Sequence, residues 1–168
     1  TKTIRSGRFE VFVDRDFEAV ISACAQTRTD SWINDRIHSL YSDLFNQGLV
    51  HTVECFFEGQ RVGGLYGLAL GGVFFGESMF HLMRDASKVA LAHLVARLRQ
   101  GGFVLLDTQF VTPHLERMGA VTIDKPAYLQ DLQLALEQDG DFYVWPPDEA
   151  DDPRQVLEIL QSPWQPPH

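Results

Sequence analysis

The sequence predicts an α+β (mixed α/β) fold, a central sheet flanked by helices. Three observations carry this. Segments with the two-residue alternation of strands are interleaved with segments of helical spacing. The middle of the chain, Val62-Gly63-Gly64-Leu65-Tyr66-Gly67-Leu68-Ala69-Leu70-Gly71-Gly72-Val73-Phe74-Phe75-Gly76-Glu77-Ser78-Met79-Phe80, reads as a β-hairpin turning at Gly71-Gly72. Strands interleaved with helices but with a hairpin run at the centre indicate a mixed layer fold. Third, 168 residues with 45% hydrophobic and 22% charged content suit one soluble domain, with room for a small appendage.

Each element has a local reason. Phe9 to Val13 alternates and reads as a strand. Asp14 or Asp16 can cap a helix from Phe17 to Ala25, whose Phe17, Val20, Ile21 and Cys24 fall at helical spacing. Asn34 is a natural N-cap for a helix through Phe45, with Ile37, Leu40, Tyr41 and Leu44 on one face and Gly48 as its stop. His51 to Phe57 and Arg61 to Leu70 read as strands joined at Glu58-Gly59-Gln60, and Met79 to Arg84 as an irregular link. A helix runs from Asp85 to Gln100 and ends at Gly101-Gly102. Phe103 to Leu106 is a fully apolar run, expected to be a central strand buried on both faces. Thr112-Pro113 opens a short helix to Met118, Gly119 to Ile123 is a strand, Pro126 to Leu136 a helix and Pro153 to Leu160 a last helix. Residues 1–138 are expected to form the main domain, and 139–168 an acidic, proline-containing C-terminal extension.

The net charge is −9. A protein that neutralises nucleic-acid backbone is usually basic, so a general DNA or RNA binder is disfavoured. Positive residues cluster locally, at Lys2, Arg5 and Arg8 and again at Arg84, Lys88, Arg97 and Arg99, which leaves contact to one nucleic-acid end open. No apolar run approaches the ~20 residues of a membrane span. Two cysteines without metal-ligand spacing, and no N-terminal secretory pattern, fit a reduced cytoplasmic setting.

Polar residues at the ends of apolar strands are the candidates for chemistry: Glu77, Asp107 and Gln109. Asp107 and Gln109 are two apart, so on an extended backbone they share a face. A carboxylate can accept from the glutamine amide and leave the glutamine carbonyl to accept from an amine. Asp107 as a simple turn cap explains the same pattern. The glycines of the hairpin allow either close approach of a ligand or a kinked core strand. The six histidines form no HExxH or i, i+4 pair, so a zinc site is not expected. There is no GxSxG elbow and no P-loop.

Trp32-Ile33, Tyr41, His51 to Glu54, Gly63 to Gly67, Phe74 to Phe80, Ala86-Ser87-Lys88, Leu106 to Gln109, and His114 with Gly119-Ala120 resemble bacterial leucyl/phenylalanyl-tRNA–protein transferases. The likeness covers roughly residues 9 to 130, and its string G-E-S-M-F, then A-S-K, then D-x-Q is specific. It implies a GNAT-related, acyltransferase-like sheet. It also implies an enzyme that moves Leu or Phe from the 3′ end of aminoacyl-tRNA to the N-terminal Arg or Lys of a protein, marking it for degradation. By the same resemblance, Leu65, Phe74, Leu91 and Leu106 would line an apolar pocket for the aminoacyl side chain. Glu77 would bind the aminoacyl or acceptor end, and Asp107 with Gln109 would position and help deprotonate the attacking amine. Gly76, Ser78, Trp32 and Tyr41 complete the expected substrate-binding set. An activated ester needs proximity and orientation rather than a metal or covalent intermediate, so no cofactor is expected. Neither DNA nor a membrane is an expected partner.

The family carries an N-terminal domain ahead of the position of Thr1, so the chain looks like the catalytic core, trimmed or naturally short. The stretch from about Asp139 departs from the family pattern. Two alternatives remain open: a small-molecule acyl-CoA N-acetyltransferase, and a binding module on the same fold without catalysis. The first would need a glycine-rich pyrophosphate loop ahead of Ala86, where Met79-Phe80-His81-Leu82 stands instead.

Overall fold

Residues buried on both faces of the strands within 50–81 build the middle of the sheet. The computed structural model describes residues 2–26, 35–108 and 125–163. Its strands are β1 (Glu10–Val13), β2 (Val50–Phe57), β3 (Gln60–Leu70), β4 (Val73–His81) and β5 (Leu105–Thr108). Their spatial order follows the chain, β1-β2-β3-β4-β5. The first three pairings are antiparallel, and β4 pairs β5 in parallel through Val73↔Leu105 to Gly76↔Thr108. Parallel neighbours need a crossover, supplied by the helix α4 (Ala86–Gln100). The others are α1 (Lys2–Arg5), α2 (Phe17–Gln26), α3 (Asp35–Asn46), α5 (Lys125–Leu136) and α6 (Pro153–Gln161).

The two faces of the sheet have separate cores. Val11, Val13, Val53, Cys55, Leu65 and Phe74 pack with α4 and α6 on one side. Val50, Tyr66 and Phe80 pack with Phe17, Val20, Ile21 and Cys24 of α2 on the other, where Tyr41, Leu44 and Phe45 of α3 join them. Phe17 stacks on Phe45 with ring centroids 5.0 Å apart. Full burial of each such side chain stabilises by roughly 1.5–3 kcal/mol against exposure.

Glycines in β3 admit neighbouring parts of the same chain. A Cβ at Gly63 would stand 2.6 Å from Ala86 Cβ, so this glycine seats the first turn of α4. A Cβ at Gly67 would stand 2.4 Å from both a ring carbon of Phe74 and the Phe75 carbonyl oxygen. The close approach expected at the hairpin is therefore, at these two positions, an approach by α4 and β4.

Two expectations shift. Met79 to His81 continues β4 instead of forming a link, because Leu65, Gly64 and Gly63 offer it partners. The apolar run at 103–106 begins its strand two residues later. The Phe103 amide donates to Leu98 O and closes the end of α4, after Gly102 has turned with φ 81. Among the described residues β5 stands at the end of the strand order and is half-buried, not central. The expected helix at 112–118 and strand at 119–123 lie outside the described residues.

The acidic stretch after Gln138 has no regular structure until α6, yet it is tied to both the sheet and α4. Asp151, buried, accepts from Arg97 Nη2 at 2.6 Å and stands 3.2 Å from His93 Nδ1. Arg97 also donates to Phe142 O at 2.7 Å, with its guanidinium 5.2 Å from the Phe142 ring centroid. The Phe142 ring lies between His51 and Phe74, 4.0 Å and 5.9 Å away by centroids and nearly parallel to both. At the far side of the sheet Glu54, fully buried, accepts from Arg61 Nε, the Thr52 hydroxyl and the Arg15 and Asp16 amides, and so holds the turn into α2.

Candidate active site

Glu77 owes its direction to a fault in the ladder. Tyr66 pairs Ser78 and Gly67 pairs Gly76, so Glu77 is an extra residue on β4 with no partner on β3. A bulge of this kind bends the strand and re-aims a side chain. Here the carboxyl hydrogen-bonds to Tyr41 on α3. Burial raises the Glu77 carboxyl above its ordinary value; the Tyr41 hydrogen bond opposes this, and the nearby charge of Asp107 adds to it. The Tyr41 hydroxyl is pushed up to about 12 by burial, with the Glu77 charge and hydrogen bond adding. The Tyr41 ring stands edge-on to Tyr66, centroids 5.6 Å apart, which fixes its approach.

Asp107 is carried by β5 opposite Phe75. The Tyr128 hydroxyl, from α5, donates to Asp107 Oδ2 at 2.5 Å. That bond, then burial, then the Asp107 charge push Tyr128 up to about 12. Two carboxylates within electrostatic reach, each with its own phenol, thus stand beside Gly76↔Thr108, the last β4–β5 pair among the described residues. A cationic amine is the natural guest of such a site, since one carboxylate alone already raises the other.

The apolar candidates lie on the other face. Phe74 and Leu106 are paired neighbours, and with Leu65 and Leu91 they belong to the α4-side core. Leu65, Phe74 and Leu91 are fully buried and Leu106 partly so. Alternation along β4 and β5 then puts Asp107 on the α2–α3 side of the sheet, the side on which Glu77 meets Tyr41. Ser78, 3% exposed, pairs Tyr66 on that same side, and Gly76 is buried at the last β4–β5 pair. The structure therefore brings Tyr41, Glu77 and Asp107 together and holds the apolar set behind the strands. Trp32 and Gln109 lie outside the described residues, as does His114.

Tyr128 is the site residue that sequence reasoning misses. It sits one turn into a helix twenty-one positions from Asp107, and no motif spacing links the two. Its one local signal is the phenol itself, a hydrogen-bonding tip on an otherwise mostly exposed helix. Among the described residues, no cluster of three or more His, Cys, Asp or Glu is arranged to hold a metal ion, and no helix is long and apolar enough to cross a membrane.

Known proteins resemble this chain in two ways. Among solved structures, an aminoglycoside acetyltransferase from an uncultured soil metagenomic sample overlaps with a TM-score of 0.49 at 16% identity, covering 78% of this chain and 88% of that one. A ribosomal-protein-alanine N-acetyltransferase from Brucella melitensis overlaps with a TM-score of 0.48 at 15% identity, covering 70% and 94%. Overlap at that level is too loose to carry a substrate or a cofactor across. In sequence the likeness is far closer. The leucyl/phenylalanyl-tRNA–protein transferase of Maricaulis maris is 51% identical over 164 residues, 96% of this chain and 76% of that protein. The protein of the same name from Rhodospirillum rubrum is 55% identical over 165 residues, 96% of this chain and 74% of that one. These matches run through the acidic C-terminal stretch as well. The profile of the leucyl/phenylalanyl-tRNA protein transferase family matches residues 1–133. With that match, and with relatives at half identity along nearly its whole length, the chain belongs to the leucyl/phenylalanyl-tRNA–protein transferase family.

Proposed function

We infer that this protein is an aminoacyl-tRNA-dependent aminoacyltransferase that moves Leu or Phe from charged tRNA to a protein acceptor. Family membership is the observation that carries the reading. We take the acceptor to be an N-terminal Arg or Lys, the tagging to lead to degradation, and the setting to be the cytoplasm, where charged tRNA is found. The paired carboxylates Glu77 and Asp107 support an amine as the nucleophile.

In the reaction the acceptor α-amine attacks the ester carbonyl carbon. A C–N bond forms, the bond to the ribose oxygen breaks, and the proton shed by the amine ends on that oxygen. An α-amine has a pKa near ~8, so much of it is protonated at neutral pH. In this proposal Asp107 binds the ammonium form and takes its proton, while the Gln109 carbonyl fixes the direction of attack. Glu77, oriented by Tyr41, receives the amino end of the aminoacyl group, and Gly76, Ser78 and Trp32 frame it. Leu65, Phe74, Leu91 and Leu106 receive the Leu or Phe side chain. Leu106 and Met79 are two of the partly buried residues packed against that core, and in this proposal the side chain enters past them. Because the ester is already activated, positioning supplies most of the acceleration.

The test is transfer of Leu or Phe from charged tRNA to a peptide with N-terminal Arg, by wild type, Asp107→Asn, Gln109→Ala and the double variant. Each single change lowers the rate on the order of 10²-fold, and the double loses less than the product of the two. Thermal shift by puromycin, a phenylalanyl-adenosine mimic, but not by acetyl-CoA, accompanies it. Stabilisation by acetyl-CoA alone would point to acetyl transfer instead.

A further inference from the structure

Each of the two carboxylates has a tyrosine, but the two pairs are built differently. Tyr41 reaches Glu77 from a helix packed into the α2-side core. Tyr128 reaches Asp107 from α5, and its hydroxyl donates to Oδ2 at 2.5 Å. That is the short end of a charge-assisted O–H···O⁻ bond. The hydroxyl, raised to about 12, stays a donor throughout the neutral range.

Asp107 needs such a partner. The last torsion of an aspartate is broad and weakly determined by its backbone. β5 is half-buried around Asp107, so the strand alone does not hold the carboxylate plane. α5 is itself anchored to the hairpin, since Gly72 N donates to Ala135 O at 2.8 Å. The tyrosine is therefore presented from a seated helix. We propose that Tyr128 is a positioning residue for transfer: its hydroxyl takes Asp107 Oδ2 and so turns Oδ1 toward the acceptor's α-amine. This rests on the reading of Asp107 as the carboxylate that handles that amine. Among the described residues, the titratable groups that face Asp107 are Glu77 from β4 and Tyr128 from α5. The former is already engaged with Tyr41, which leaves the latter to set the orientation.

Steady-state transfer from phenylalanyl-tRNA to a peptide with N-terminal Arg tests this, with thermal unfolding alongside. The variants are Tyr128→Phe, Asp107→Ala and the pair together. Tyr128→Phe keeps the ring and lowers kcat roughly 10- to 100-fold, as a misplaced catalytic group does. KM for the charged tRNA and the unfolding midpoint stay at their wild-type values. In the double variant the loss equals that of Asp107→Ala alone, because the hydroxyl acts through that carboxylate. Wild-type kcat in Tyr128→Phe beside a crippled Asp107→Ala overturns the proposal and leaves the reading of Asp107 standing. A fully active Asp107→Ala overturns both. A fall in kcat matched by a fall in the unfolding midpoint, or a double variant worse than Asp107→Ala, makes Tyr128 structural and also overturns it.

Discussion

A carboxyl group half-buried at a β-bulge is held there against its preference for water. Burial is the largest influence on Glu77 and raises it, with Asp107 adding in the same direction. A carboxyl whose folded value is raised gives stability that is complete at acid pH and lost as pH rises through the raised value. Glu77→Gln removes the ionisation while its amide oxygen still accepts from Tyr41. At pH 7 this variant unfolds at or above the wild-type temperature, and the gap closes as pH falls to the ordinary carboxyl range. Transfer by the same variant drops. A Glu77→Gln protein less stable than wild type at pH 7 would mean that the ionised carboxyl is a net structural asset. Glu77, Asp107 and Tyr41 were legible in the sequence, through the G-E-S-M-F and D-x-Q strings and a family likeness. Tyr128 was not, because its link to Asp107 is made across the fold by α5. Leu65 was legible as apolar but not as wholly buried, so a bulky probe of the proposed side-chain pocket belongs at the partly buried Leu106. Leu106→Trp is expected to cut Phe transfer more than Leu transfer, read as the ratio of the two kcat/KM values.

At the scale of elements, the bulge depends on the strand beside it. Gly67 faces Gly76 across the β3–β4 ladder, next to the extra residue. A methyl group there would press on the Phe74 ring and the Phe75 carbonyl at 2.4 Å, and the backbone atom cannot step aside cheaply. Gly67→Ala is expected to cost about 1–3 kcal/mol, the usual cost of overpacking, measured by urea unfolding. Most elements could be read from period and caps: the two hairpins of β2–β4, the apolar stripe of α2 and the glycine stop after α4. Where the reading slipped, a non-local bond had decided. β4 runs on to His81 because β3 extends far enough to pair it. Phe103 left its strand because its amide was taken by Leu98.

At the scale of the whole molecule, the C-terminal extension is fastened by charge. Arg97 and Asp151 are 1% and 7% exposed. Removing one partner of such a pair strands the other charge away from water. Asp151→Ala is expected to cost about 3–5 kcal/mol and to loosen the Phe142 ring from its place between His51 and Phe74, visible as a lower unfolding midpoint. The same burial changes the count of charges open to tRNA. Arg97 is committed to Asp151, and Arg99 donates to Ile159 O and Ser162 O. Of the basic cluster, the exposed Lys2, Arg5, Arg8, Arg84 and Lys88 are then left for phosphates, Lys88 in a loose exposed pair with Asp85 at 3.7 Å and Arg8 donating to the Arg84 carbonyl. Binding of tRNA should therefore weaken with salt, and five phosphate contacts from this cluster give a log–log slope of about −4.5. Sequence alone weighed all seven basic residues equally, since burial of an arginine is a property of the packed chain.

The proposed transfer of an aminoacyl group to an amine is placed at the acidic pair of Glu77, on the β4 bulge, and Asp107, on β5. Single-turnover transfer of phenylalanine from charged tRNA to a peptide with N-terminal Arg, by wild type and by Asp107→Asn, tests it most directly. Peptide product is expected with the wild-type protein, and a rate lower on the order of 10²-fold with the variant, with puromycin bound equally well by both. Transfer at the wild-type rate by a folded Asp107→Asn protein would contradict it.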